Sequence, residues 1–77
     1  MGPEALINEF GSRLKVLLED VRPHIEPSEY EEVLNQATDF LATVAVAILA
    51  SHGYEVVDIS VDTDSMSVMV ATSNPSD

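Results

Sequence analysis

The stretch FLATVAVAILA, from Phe40 to Ala50, decides the fold, because only Thr43 among its eleven residues is polar. Such a run belongs in a protein interior. The chain has only 77 residues, a length at which a single core leaves roughly 3–5 kcal/mol of net stability. The rest of a short chain, or a second molecule, must therefore cover this stretch.

The segment before it predicts a first helix over residues 3–22. Pro3 suits the first turn of a helix, and apolar residues then follow at alternating steps of three and four, which is typical of one apolar helix face. These residues are Ile7, Phe10, Leu14, Leu17 and Val21. Gly11 either allows a close approach or is a local weakness. Pro23 should end the helix, because proline disfavours helical geometry in the residue before it.

A second helix is predicted over residues 28–52. Ser28 and Glu31 have the spacing of a capping box at its start, and Gly53 can adopt the left-handed conformation that ends a helix. One face of this helix should pack on the first helix. It consists of Tyr30, Val33, Ala37, Phe40, Leu41, Val44 and Ile48.

The last third of the chain predicts a β-hairpin. Residues 54–61 and 66–71 are rich in β-branched residues and alternate in polarity, and the polar sequence DTDS, Asp62 to Ser65, separates them. A four-residue loop gives three apolar pairs on one face, namely Val61 with Met66, Ile59 with Val68, and Val57 with Val70. The other face, with Asp58, Ser60, Ser67 and Met69, should look toward water. Residues 72–77 read as a polar tail.

These elements predict an α+β fold: two antiparallel helices followed by a C-terminal β-hairpin (ααββ), in a single domain of residues 1–71. The apolar half of the second helix should lie between the first helix and the hairpin. A lone two-stranded sheet is marginal in water and leaves unpaired edges. We therefore expect a homodimer formed through the hairpin edge or the second helix, with Val46, Leu49 and Met69 in self-association. The alternative is a monomer whose hairpin alone covers the second helix.

Charge is distributed unevenly along the chain. Fourteen Asp and Glu stand against three Lys and Arg, for a formal net charge of −11, and all three basic residues precede residue 23. The resulting field repels nucleic acids and anionic membranes and attracts basic protein surfaces. We expect an acidic partner-binding surface on the start of the second helix and on the hairpin. It consists of Glu26, Glu29, Tyr30, Glu31, Glu32, Asp58, Asp62 and Asp64.

No residue pattern indicates catalysis, a cofactor or a metal. Cysteine is absent, and His24 and His52 are far apart in the sequence. The sequence DTDS lacks the glycine and the glutamate of a calcium-binding EF-hand loop, and Asp and Ser are common in hairpin turns. The serines have no neighbouring base that would indicate a nucleophile. We therefore expect a protein that is not an enzyme.

The expected function follows from charge and from what the motifs exclude. No basic region precedes an apolar run, and no apolar run reaches the ~20 residues of a spanning helix, so we expect a soluble cytoplasmic protein. The leading hypothesis is a small acidic inhibitor or nucleic-acid mimic that docks on a basic nucleic-acid-binding protein. Anti-CRISPR, anti-restriction, host-takeover and immunity proteins of phages and bacteria act in this way. The alternatives are a self-assembling structural or regulatory subunit that uses the apolar surface of the second helix, and acidity that serves solubility alone, as in a halophile.

Overall fold

A computed structural model describes residues 2–73 of the chain. Helix α1 spans Pro3–Val21, a 3₁₀ turn follows at Arg22–His24, and helix α2 spans Pro27–Ser51. Strands β1, Glu55–Asp62, and β2, Ser67–Ser73, pair as an antiparallel hairpin. The predicted ααββ order is confirmed. Thr72 and Ser73, expected in the polar tail, belong to β2 instead, and residues 74–77 lie outside the described residues.

Helix α2 begins one residue earlier than expected, and the predicted capping box is wrong. Its N-cap is Glu26, whose backbone is extended, and Pro27 occupies the first helical position with no side chain bonded to the cap. The amide of Tyr30 donates a hydrogen bond of 2.9 Å to the Glu26 carbonyl. Ser28 therefore lies inside the first turn of the helix. It cannot be the N-cap, because a capping hydroxyl requires a residue with non-helical backbone.

The end of α2 has the predicted geometry. Gly53 has a φ of 86°, which is the left-handed region that glycine adopts readily. The Tyr54 amide donates to the Leu49 carbonyl at 3.0 Å, and the Gly53 amide donates to the Ala50 carbonyl at 3.0 Å. These two bonds form a Schellman motif, which satisfies carbonyls that the helix end would leave unpaired.

Apart from Val57, the hairpin has the predicted inner face, but its register differs by two residues. Ile59 pairs with Val70 and Val61 pairs with Val68, whereas Val61 was expected opposite Met66. Side chains alternate with period two, so a shift of two residues keeps the same side chains on the inner face. Met66 lies in the turn, at a φ of 53°, and is only 3% exposed. The prediction treated this core residue as part of a strand.

A β-bulge in β1 reverses the expected positions of two valines. The pairing shifts between Val56 and Asp58, so Val57 is the extra residue of the bulge. Val56 is half-buried and packs on the core, whereas Val57 is 67% exposed. The prediction that Val57 faces inward is wrong, because a bulge changes the alternation of side chains on its strand.

The core consists of two clusters, each built from both helices and the hairpin. The first contains Ile7, Ala45 and Leu49, and the residues packed against it are Ile48 of α2, Val56 and Ile59 of β1, and Val68 and Val70 of β2. The second contains Leu18, Leu41 and Met66. Between them Gly11 allows close packing, because a Cβ at this position would overlap the backbone carbonyl oxygen of Met66.

The hairpin lies across both helices rather than on α2 alone. Helix α1 contacts α2 and β2, and α2 contacts α1 and β1. Within the stretch Phe40–Ala50, Leu41, Ala45 and Leu49 are buried by these contacts, but Phe40 is 56% exposed. The expected coverage of this stretch is therefore incomplete on the side of the helices that faces away from the hairpin.

Candidate functional site

The acidic side chains form an extensive exposed polar surface on the described residues. All thirteen Asp and Glu residues between positions 2 and 73 are exposed. Within the same range a single ion pair is found, between Arg13 Nε and Glu9 Oε2 at 2.6 Å, one helical turn apart on α1. The negative charge is thus turned toward water and largely uncompensated by neighbouring side chains.

Four of the predicted partner-binding glutamates surround the first turns of α2. Glu26 is the N-cap, and Glu29 and Glu32 lie three residues apart on one side of the helix. Glu31 lies about 100° around the helix axis from Glu32, on the side away from Glu29. These carboxylates encircle the helix start and do not form a single row.

Tyr30 makes its main contacts inside the protein. Its ring is half-buried against the cluster of Leu18, Leu41 and Met66. The guanidinium of Arg22 lies 5.1 Å from the ring centroid, at the distance of a cation–π contact. Tyr30 was expected at the centre of a presented acidic surface, and the structure gives it a packing role that links α2 to the end of α1.

A groove beside the hairpin turn brings two of the predicted site residues together. Tyr30 and Asp64 both line it, and so do the basic residues Lys15 and Arg22. Lys15 and Arg22 were not among the predicted site residues, since their position depends on how the helices and the turn pack. The groove therefore mixes both charges, and the purely acidic surface lies outside it, on the outer sides of α2 and the turn.

The three predicted aspartates of the hairpin are spread along it. The Asp64 amide donates to Asp62 Oδ1 at 2.9 Å, so Asp62 stabilises the turn. Asp58 lies four residues earlier in β1, about 13 Å along the strand, beside the bulge and opposite Ala71. Asp64 lines the same groove as Tyr30 at the start of α2, whereas Asp58 lies toward the other end of the hairpin.

The groove at the other end of the molecule is lined mainly by apolar residues. Pro3, Ile7, Leu49 and Val70 supply much of its lining, and Glu4 and Tyr54 are the titratable residues among the described lining residues. The groove is better described as the open edge of the first core cluster.

The histidines and the hairpin carboxylates do not assemble into a metal site within residues 2–73, where no group of three potential ligands was found. His52 Nδ1 lies 2.9 Å from the Ile48 carbonyl oxygen, at the end of α2. His24 is exposed in the 3₁₀ turn. The contacts of His52 are those of a residue that terminates a helix.

The predicted self-association residues do not share a surface. Leu49 is 4% exposed and belongs to the first core cluster, so it is not available to a second molecule. Val46 and Met69 are exposed, the first on α2 and the second on the outer side of the hairpin. A larger apolar surface lies on the helices away from the hairpin, and all of its residues except Leu6 were predicted to lie on the faces where the helices pack. We call it the outer helical face; its exposed residues are Leu6, Leu17, Val21, Val33 and Phe40.

Helix α2 is also long and apolar enough to span a membrane by length and composition. An 18-residue window within it has a mean hydropathy of 1.6, and 17% of that window is buried. The core helix of a soluble protein meets the same criterion. The four glutamates around its first turns lie at one end of this helix.

No protein-family model, curated protein or solved structure matches this chain. The function is therefore inferred from the residues of the chain itself, namely from their exposure, their charge and the surfaces that they share.

Proposed function

We propose that this protein is a small acidic binding protein, without enzymatic activity, that docks on the basic surface of a nucleic-acid-binding protein. The observation that carries the proposal is the exposure of every described carboxylate together with the single ion pair among residues 2–73. Separated carboxylates on a compact scaffold imitate the phosphates of a nucleic acid, which such a partner is built to bind. The protein acts as an inhibitor by occupying that surface.

The docking surface is centred on the start of α2 and extends to the hairpin turn. Glu29 and Glu32 supply charge on one side of the helix, and Glu31 supplies it on the flank nearer the hairpin. Asp64 contributes from the turn, which reaches the groove beside Tyr30. A charged surface of this kind raises the association rate with a basic partner, and added salt lowers that rate because it screens the charges.

The test is capture of partners from a nuclease-treated lysate at low salt, elution by a salt step, and identification by mass spectrometry. A basic nucleic-acid-binding protein in stoichiometric amount is the expected eluate. Purified partner is then titrated with labelled nucleic acid in the presence of this protein. Competitive displacement supports mimicry, whereas a partner that binds both ligands at once contradicts it.

Two variants with the same change in net charge test whether binding depends on this surface or on total charge alone. The triple variant with Glu29, Glu31 and Glu32 changed to Gln should bind the partner at least tenfold more weakly and keep its circular-dichroism spectrum. The control changes Glu4 and Glu55 to Gln and Asp39 to Asn, three exposed residues elsewhere, and alters net charge equally. Equal weakening by both variants would show that only total charge matters, and unchanged binding by the first would exclude the start of α2 as the site.

The alternative function, a self-assembling subunit that uses the apolar surface of α2, keeps one supporting observation. Large apolar side chains are exposed on both helices. The surface first expected for it, however, loses Leu49 to the core. Self-association through Val46 or Met69 stays a prediction, which substitution of each by Glu, followed by measurement of the molecular mass in solution, would test.

A further inference from the structure

The outer helical face is an apolar surface in the middle of an otherwise acidic molecule. At its centre the rings of Phe10 and Phe40 meet with centroids 5.7 Å apart, across the seam between α1 and α2. Phe10 is half-buried, whereas Phe40 is 56% exposed and Leu17 is 59% exposed. Both side chains lie on the side of the helices opposite the hairpin, so no described residue of the same chain covers them.

The face has the residue spacing of a helix-bundle interface. Phe10 and Leu17 lie seven residues apart on α1, and Val33 and Phe40 lie seven residues apart on α2. Because the contact of Phe10 with Phe40 fixes how the antiparallel helices align, Leu17 lies level with Val33. Apolar residues at this repeat place one stripe along two helices, which is the pattern of helices that pack in four-helix bundles.

The face is also complementary to itself. The second copy is generated by a two-fold axis that lies in the plane of the face and is perpendicular to the helices. The axis passes halfway between the levels of Phe10 and Leu17, and it places α1 antiparallel to α1 of the second copy. Leu6 then meets Val21 of that copy, and Phe10 meets its Leu17. The same rotation places Phe40 on Val33 of the second copy. Each large apolar residue of the outer helical face thereby finds an apolar residue opposite, as an isologous interface requires.

The charges at the rim favour this antiparallel arrangement over a parallel one. Asp20, Glu29 and Glu32 lie at the end of the helix pair nearest the 3₁₀ turn. A parallel pair would bring these carboxylates of both copies together, and like charges in proximity repel each other. The antiparallel pair places them against the other end of the face, where Leu6 and Ala47 lie. Arg13 lies near the axis, and its own Glu9 compensates its charge.

The exposed area is sufficient for a modest interface. The five exposed residues of the face present roughly 400 Å² of apolar surface, a size at which an exposed patch is commonly an interaction site. Two copies together contribute roughly 800 Å² of apolar surface, so the polar rim has to supply the remaining third of the ~1,200 Å² at the lower end of specific interfaces. We infer that the partner of the outer helical face is a second copy of this chain, which completes an antiparallel four-helix bundle with the hairpins on its two outer sides. This inference rests on the exposed apolar residues and not on the proposed acidic docking function, although Glu29 and Glu32 lie at the rim of both surfaces.

The first experiment measures molecular mass by sedimentation equilibrium between about 1 and 100 µM, a range that covers the micromolar dissociation constants of weak dimers. The native chain should approach twice its mass of 8.3 kDa at the upper concentrations. Phe40→Glu and Leu17→Glu, each at an exposed position, should remain monomeric with unchanged circular dichroism. Met69→Glu and Val46→Glu are the controls, with the same charge change on other surfaces, and should dimerise like the native chain.

The second experiment tests the orientation by disulfide crosslinking. The chain contains no cysteine, so single variants give a clean background. A mixture of Leu6→Cys and Val21→Cys chains should form a mixed disulfide, and neither variant alone should crosslink efficiently. Crosslinking of Val21→Cys with itself would refute the antiparallel arrangement.

Three outcomes would overturn the inference. One is a native chain that stays monomeric at the highest concentration. Another is a dimer that Met69→Glu disrupts and Phe40→Glu leaves intact, because that result would place the interface on the hairpin. The third is a monomer that floats with zwitterionic lipid vesicles unless Phe40 is changed to Glu, which would assign the outer helical face to a membrane surface.

Discussion

Substitution of Gly11 by Ala tests how closely α1 approaches the hairpin turn. In an isolated helix this change stabilises by about 1 kcal/mol, because glycine is a poor helix former. In this protein the added methyl group would overlap the carbonyl oxygen of Met66 and lie 3.7 Å from Leu41 Cδ2. The obstacle is backbone, which cannot move aside as a flexible side chain can. We therefore expect a net loss of stability.

The magnitude follows from two opposing contributions. Overpacking of a core costs typically 1–3 kcal/mol, and the gain in helix propensity offsets about 1 kcal/mol of it. The free-energy cost of overlap with a backbone oxygen lies at the upper end of that range. The free energy of unfolding should therefore fall by roughly 1–2 kcal/mol. For a domain of this size the midpoint temperature then drops by about 4–16 °C.

The assay is thermal and urea unfolding followed by circular dichroism at 222 nm, at one fixed protein concentration. Ser12→Ala is the matched control, since Ser12 is the next residue of α1 and is exposed. That variant should be as stable as the native chain or slightly more stable, because only helix propensity changes. If Gly11→Ala is as stable as Ser12→Ala, the close approach of α1 to Met66 does not exist in solution.

Two further predictions concern the core and the hairpin. Leu41→Ala should destabilise by about 2–5 kcal/mol in urea unfolding, because Leu41 is fully buried between the helices and Met66; a loss below about 1 kcal/mol would contradict a packed second cluster. Val56→Thr should cost about 1 kcal/mol, since it places a hydroxyl against the core, whereas Val57→Thr on the exposed bulge residue should change the unfolding free energy by less than about 0.5 kcal/mol. The opposite order would indicate a regular strand without the bulge.

The order of elements could be predicted from the sequence because local signals mark each boundary. Pro23 and Gly53 identify the helix ends, and the polar DTDS segment separates two β-branched runs. The register could not be derived in the same way. Met66 is apolar and not glycine, so it was placed in a strand, whereas its left-handed backbone in the turn is maintained by burial of its side chain. Tertiary packing overrides the local preference here.

The same limit applies to the exposed surfaces. Phe40 and Leu41 are adjacent, about 100° apart on the helix, and periodicity alone assigned both to the interior. Which of them is covered depends on where the hairpin lies, and the hairpin turn lies where Gly11 allows α1 to approach Met66 closely. The exposed carboxylates were predictable, because charged side chains are rarely buried without a partner. The bases beside Tyr30 were not, since Arg22 reaches the ring only after the helices pack.

The position of Met66 also affects how the chain folds during synthesis. Each core cluster requires residues of the hairpin, and the hairpin is the last part of the described chain to leave the ribosome. Domains commonly begin to fold from the N-terminus as they are synthesised, but here α1 and α2 emerge with both of their apolar sides uncovered. The native structure forms only once the hairpin is released, so a nascent chain halted before residue 66 offers two unprotected helices to chaperones and proteases.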